Sequence, residues 1–120
     1  MPRRSKDFYR GISFRPPAGA AAAASRALER RAEQPPSLRG MTPVGLARAR
    51  QLVHRQELSP TTIDRMVSFF ARHAIDKRGS SWGTYGKGRQ AWDGWGGNPG
   101  LRWARAIARR MDAAERRDRR

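Results

Sequence analysis

Residues 82–103 read WGTYGKGRQAWDGWGGNPGLRW. All four tryptophans of the chain, Trp82, Trp92, Trp95 and Trp103, fall in this stretch beside Tyr85. Glycine is equally concentrated, at positions 83, 86, 88, 94, 96, 97 and 100. A tryptophan that goes inside removes about 150–250 Å² from water. A chain of 120 residues has few other side chains of that size. The segment is therefore expected to close the core of one small domain, with Phe70, Trp92, Trp95 and Trp103 among its large core side chains. A short helix over 89–95 puts Trp92 and Trp95 on one face at i, i+3, and Gly96-Gly97 ends it.

Working outward, Asn98-Pro99 is a cap-plus-proline helix start. A helix from Pro99 to at least Ala114 carries Trp103, Ala104, Ile107, Ala108 and Met111 as its apolar stripe. Upstream, residues 76–88 read as loop. Ser59-Pro60 starts a helix to about Ala74, with Ile63, Met66, Val67, Phe70 and Ala74 on one face. Thr42-Pro43 starts another to about Gln56, with Leu46, Ala49, Leu52 and Val53 inward. The break at 57–59 makes this pair an αα-hairpin or a helix-turn-helix-like unit. Residues 18–33 are alanine-rich without a β-branched residue and read as a helix, stopped by Pro35-Pro36. Its apolar face is small: Ala20, Ala24, Ala27 and Leu28. The fold class is all-α, a small bundle of about four helices over residues 18–114. Basic extensions occupy 1–17 and 115–120.

The charge is extreme: 26 Lys+Arg against 10 Asp+Glu, formally +16. That balance suits a partner such as nucleic acid, an anionic membrane or an acidic protein surface. Lysine is confined to Lys6, Lys77 and Lys87, a bias that a GC-rich genome produces whatever the function. The bias explains arginine in place of lysine, not the imbalance. Cysteine is absent, which excludes disulfides and thiolate metal sites. The longest apolar run, Ala20–Ala24, is far short of the roughly 20 residues of a membrane span. Pro16, Pro17 and Gly19 spoil any signal-peptide reading of the N-terminus.

The arm at 1–15 combines cations with aromatics. Arg3, Arg4, Arg10 and Arg15 supply charge, and Phe8, Tyr9 and Phe14 supply anchors. Two destinations are open to it, a partner protein or its own domain. The partner reading predicts that a chain lacking residues 1–15 still folds. On the last helix, Arg102, Arg105 and Arg109 lie at i, i+3 and i+7, with Arg110 beside them, a candidate face for nucleic-acid phosphates. Asp112–Arg116 and Glu115–Arg119 are i, i+4 pairs that partly neutralise the helix end. A recognition helix at 60–74 would present Thr61, Thr62, Asp64 and Arg65 to bases, which does not favour sequence-specific reading.

Chemistry is sparse. His54 and His73 stand on different helices. There is no Gly-x-Ser-x-Gly, no phosphate loop and no close carboxylate pair. His73 with Asp76 reads as a helix-end histidine meeting a carboxylate, or as two metal ligands short of a site. No catalytic residue, metal, cofactor or small-molecule substrate is expected, nor a membrane partner, since the basic helices lack a wide Leu/Phe face.

From Phe14 to Met111 the chain resembles a small module of tailed-bacteriophage proteins, found near head-morphogenesis genes. The resemblance rests on Gly40-Met41-Thr42-Pro43-Val44-Gly45-Leu46-Ala47-Arg48-Ala49-Arg50, on Leu58-Ser59-Pro60, and on Phe69-Phe70-Ala71-Arg72-His73 with Asp76-Lys77. It continues through Ala91-Trp92-Asp93-Gly94-Trp95-Gly96-Gly97 and Trp103-Ala104. The chain departs from that pattern at Ala74, an acidic position in the module, and in a shorter loop before Trp-Gly-Gly. The resemblance implies a phage protein in the virion or the host cytoplasm and carries no activity. The expectation is a non-enzymatic structural or virion-associated protein whose arms dock on capsid, portal or connector proteins, or on packaged DNA. The alternative is a soluble accessory protein that binds the phosphate backbone without strong sequence specificity.

Overall fold

A computed structural model describes residues 2–120. Five α-helices follow one another: α1 (Ala18–Glu33), α2 (Pro43–Val53), α3 (Pro60–His73), α4 (Lys87–Gly94) and α5 (Gly97–Asp118). Short 3-10 turns cover Lys6–Tyr9, Pro36–Leu38 and Ala74–Arg78, and no strand occurs among the described residues. The fold is thus all-α, and the helix around Trp92 raises the count to five.

The helix starts follow the local chemistry. Thr42 Oγ1 accepts from the Gly45 amide at 3.0 Å, and Ser59 Oγ accepts from the Thr62 amide at 3.0 Å. Each thereby satisfies one of the amides that a helix start leaves without a partner. The prolines at 43 and 60 occupy first positions, where no amide proton is needed. α5 differs from expectation. It begins at Gly97 behind Gly96, whose φ of 113° is left-handed. The Asn98 side chain does not cap it. Instead Asn98 Oδ1 accepts from the Trp92 indole at 3.0 Å and from Lys77 at 3.0 Å.

α1 packs along α2, α4 and α5, while α3 lies on α5. Ala20, Ala23, Ala24 and Ala27 form the buried stripe of α1. This small-residue face meets the glycines between α4 and α5. A Cβ placed on Gly97 would stand 3.0 Å from the Ala23 Cβ, and one on Gly96 would stand 2.9 Å from the Gly100 Cα. The glycine run is therefore a close-approach device as well as a turn. Gln90, fully buried, staples the 34–42 linker to α4. Its Oε1 accepts from the Gly40 amide at 2.7 Å, and its Nε2 donates to the carbonyls of Leu38 and Tyr85, each at 3.1 Å.

The tryptophans divide. Trp92 meets Phe70 edge-on, with ring centroids 4.7 Å apart, and Trp95 stacks on Phe69 at 4.7 Å. Adjacent phenylalanines of α3 thus receive both indoles from the end of α4. Trp82 and Trp103 are only partly buried, packed against the outside of the same core. Ala74, expected on the core stripe of α3, is exposed in the following turn. α2 turns Gly45, Arg48, Ala49 and Leu52 inward, so Leu46 and Val53 are flanking rather than central. α2 and α3 do not pair as a tight hairpin. Their main contacts go to α1 and α5 respectively, which leaves an open groove between them.

Candidate functional site

The arm goes to its own domain. Tyr9 and Phe14 are 1% and 2% exposed and belong to the main core. The Leu58 amide donates to the Phe14 carbonyl at 2.9 Å, and Arg55 Nε donates to the Pro16 carbonyl at 2.8 Å. Tyr9 and Phe14, with Arg3, are thereby removed from any partner-docking role, and residues 2–17 are part of the domain. The physical reason is area: two buried aromatics offset the entropy of ordering a short segment. Phe8 is partly buried under the Arg4 guanidinium, which lies 4.2 Å from its ring centroid. Arg10 and Arg15 are exposed.

Arg3 is the centre of the arm's electrostatics. Its Nε and Nη2 donate to Asp64 at 2.8 and 3.1 Å, its Nη1 donates to Asp112 at 2.7 Å, and Nη1 also reaches Glu115. The bonds to Asp64, then those to Asp112 and Glu115, hold its proton more firmly than usual, against the opposing effect of burial. Asp118 faces Arg4 at 3.9 Å, and Glu57 faces Lys6 at 3.5 Å. Asp112, Glu115 and Asp118 are the acidic residues of α5, and the arm claims all of them. The i, i+4 pairs expected within α5 accordingly do not form, because Arg3 takes both of their acidic halves, Asp112 and Glu115.

By contrast, Arg102, Arg105 and Arg109 are exposed along one face of α5. None of them meets a carboxylate among the described residues. Their span is about 10 Å at 1.5 Å per residue. Arg110 donates to the Gly11 carbonyl at 3.1 Å and so helps fasten the arm. It belongs less to the open face than its neighbours.

The groove between α2, α3 and α4 has a volume of about 790 Å³. Met41, Val44, Phe69 and Trp95 supply its apolar lining, and Arg65, Arg72 and Lys87 stand at its edge. Behind its wall Arg48 is 7% exposed, with its guanidinium 5.3 Å from the Trp95 ring centroid. Its Nη1 donates to Gln51 at 2.5 Å, and its Nε has no partner. Burial, with the nearby charge of Arg65, pushes its pKa below that of an ordinary arginine. Sequence reading misses this group. The signal is present, since Arg48 stands at i+3 from Gly45 and i−4 from Leu52, on the inward stripe.

A second polar cluster is structural. Asp93, 6% exposed, accepts from the Tyr85 hydroxyl at 2.5 Å and lies 3.6 Å from Arg26 and 3.8 Å from Arg89. Burial, and then the Asp93 carboxylate, push the Tyr85 hydroxyl pKa upward. His73 Nδ1 lies 3.1 Å from Asp76 Oδ2, and the imidazole stacks on Phe69 at 4.5 Å. No third ligating side chain joins them among the described residues. No described helix is long and apolar enough to cross a membrane.

No family model, curated protein or solved structure matches the chain.

Proposed function

We propose that the protein is a non-enzymatic bacteriophage protein, of the virion or of its assembly in the host cytoplasm, that binds DNA through the phosphate backbone. One observation carries the DNA-binding part: Arg102, Arg105 and Arg109 stand exposed on one face of α5 and pair with no carboxylate among the described residues, the carboxylates of α5 being held by the arm further along the helix. Three cations on one exposed helix face suit a row of phosphates, and binding of this kind carries no base-specific readout. The phage assignment rests on the Trp-Gly-Gly resemblance, and phage structural proteins remain the proposed protein partners. The N-terminal arm is not their docking element, because its anchors are buried.

The test is a DNA titration across salt concentrations. Replacing Arg102, Arg105 and Arg109 by alanine should weaken binding and flatten the log–log salt slope by about 3 units, one for each phosphate no longer neutralised. An unchanged slope would remove α5 from the interface. For the phage assignment, mass spectrometry of purified, nuclease-treated particles should find the chain at fixed stoichiometry. Its absence there, with the protein present in infected cells, would leave the soluble accessory role.

A further inference from the structure

The groove between α2 and α3 is separate from the arginine face of α5 and shares no residue with it. Its lining is mainly apolar, yet Val44, at its lip, is 57% exposed. Val44 extends the apolar lining of Met41, Ala91 and the buried rings out to the surface, and apolar surface continuous with a groove marks a docking site more than a lone exposed side chain does. The wall supplied by α3 is a single helical stripe: Thr61, Asp64, Arg65, Ser68 and Arg72, with Phe69 beneath. Asp64 is its one carboxylate, and Arg3 neutralises it with two hydrogen bonds. Arg65, Arg72 and Lys87 meet no carboxylate among the described residues. The unpaired Nε of Arg48 adds buried positive charge just behind.

We propose that this groove docks an acidic amphipathic segment of a partner protein, with apolar anchors over Met41 and Val44 and Asp or Glu facing Arg65, Arg72 and Lys87. Charge complementarity selects this occupant. A second copy of a chain carrying +16 would bring like charge to the same rim. Single-stranded nucleic acid would need free ring faces for its bases. Here Trp95 and Phe69 are 8% and 5% exposed and are stacked on each other, with His73 on Phe69 and Arg48 over Trp95. An amphipathic helix laid in the groove would present its anchors at i, i+3 or i+4, and i+7.

The probe is a displayed library of random peptides about 16 residues long, roughly four helical turns, selected against the full chain. Enriched sequences should be net acidic with apolar residues at helical spacing. The best of them, synthesised and labelled, is then titrated by fluorescence anisotropy against three variants. Val44→Asp should weaken binding at least tenfold; an aspartate in the first turn of a helix favours that helix, so the fold is kept. Arg65→Glu with Arg72→Glu should do the same. The Arg102→Ala, Arg105→Ala, Arg109→Ala variant should bind the peptide as the parent does, while losing DNA. Several outcomes would overturn the proposal: no enrichment, enrichment of neutral or basic sequences, or peptide binding indifferent to Val44→Asp. So would a twenty-nucleotide oligothymidine displacing the peptide through the same residues, or a concentration-dependent dimer abolished by Val44→Asp.

Discussion

The two ends of the chain are both basic, and they end in opposite situations. Residues 2–15 carry Arg3, Arg4, Lys6, Arg10 and Arg15 together with Phe8, Tyr9, Ile12 and Phe14. Residues 116–120 are RRDRR, with no apolar residue. The first end buries two aromatic rings and spends Arg3, Arg4 and Lys6 on the domain's own carboxylates. The second end stays exposed along the last turn of α5 and beyond it. The difference teaches that net charge alone does not locate a binding surface. Apolar anchors decide which basic segment is drawn inward, and the segment drawn inward decides which cations elsewhere lose their partners. By taking Asp112 and Glu115, the arm deprives Arg116 and Arg119 of their i, i+4 partners, while Arg102 and Arg105 lie too far along α5 to meet any of its carboxylates.

The largest break in this comparison would come from the arm's aromatics. Tyr9→Ala or Phe14→Ala should each destabilise the fold by about 3–5 kcal/mol in denaturant unfolding, as a buried ring does. Removing residues 2–15 should abolish cooperative unfolding altogether. A stable, cooperatively unfolding truncation would mean the arm only rests on the domain. Trp95→Ala should cost a similar amount, about 3–5 kcal/mol, and a near-neutral result would move that ring from core to interface.

Arg3→Met sharpens the comparison at the electrostatic level. It leaves Asp64, Asp112 and Glu115 facing one another, and should cost about 1–3 kcal/mol, held down by the partial exposure of Asp64 and Asp112. The same variant should leave DNA binding nearly unchanged, because the freed carboxylates of α5 face Arg116 and Arg119 and lie about 10–15 Å along the helix from Arg105 and Arg102. A marked loss of DNA affinity in Arg3→Met would tie the arm to the α5 face.

Alkaline stability gives a smaller effect, away from both ends. Tyr85 has a raised pKa in the fold, so the folded chain keeps a proton that the unfolded chain releases. Its contribution is complete below the ordinary tyrosine value of about 10 and declines above it, by roughly 1.4 kcal/mol per pH unit. Tyr85→Phe should lack this decline, whatever it costs at neutral pH. Parallel pH profiles for the two proteins above pH ~10 would show that Tyr85 ionises freely. Smallest of all, removing residues 117–120 should change stability by less than about 0.5 kcal/mol. A larger loss would give the tail a place in the fold.

The helices are legible in the sequence because their signals are local. Thr42-Pro43 and Ser59-Pro60 are short-range chemistry, and each works as a cap in the fold. The alanine stripe of α1 and the pairing of large rings around α3 and α4 follow from spacing. The destination of the arm is not legible, since Arg3 and Asp112 are 109 positions apart and no period links them. The start of α5 is misplaced from sequence because the side chain that promises to cap it, Asn98, has a better use between Trp92 and Lys77. The arginines of α5 can be read as one face, because i, i+3 and i+7 is a local period. The groove is invisible for a related reason. It exists only because α2 and α3 lean on different helices, and Arg48 escapes notice because an arginine on an inward stripe looks like a surface residue.

The most direct test sets the two ends against each other at equal charge. Arg4→Ala with Lys6→Ala removes two cations from the arm, and Arg102→Ala with Arg105→Ala removes two from α5. DNA affinity is measured for both across the same salt series. The prediction is a slope flattened by about 2 units for the α5 variant and nearly unchanged for the arm variant. Equal flattening in the two variants would contradict it, and would mean that DNA senses only the total charge of the molecule.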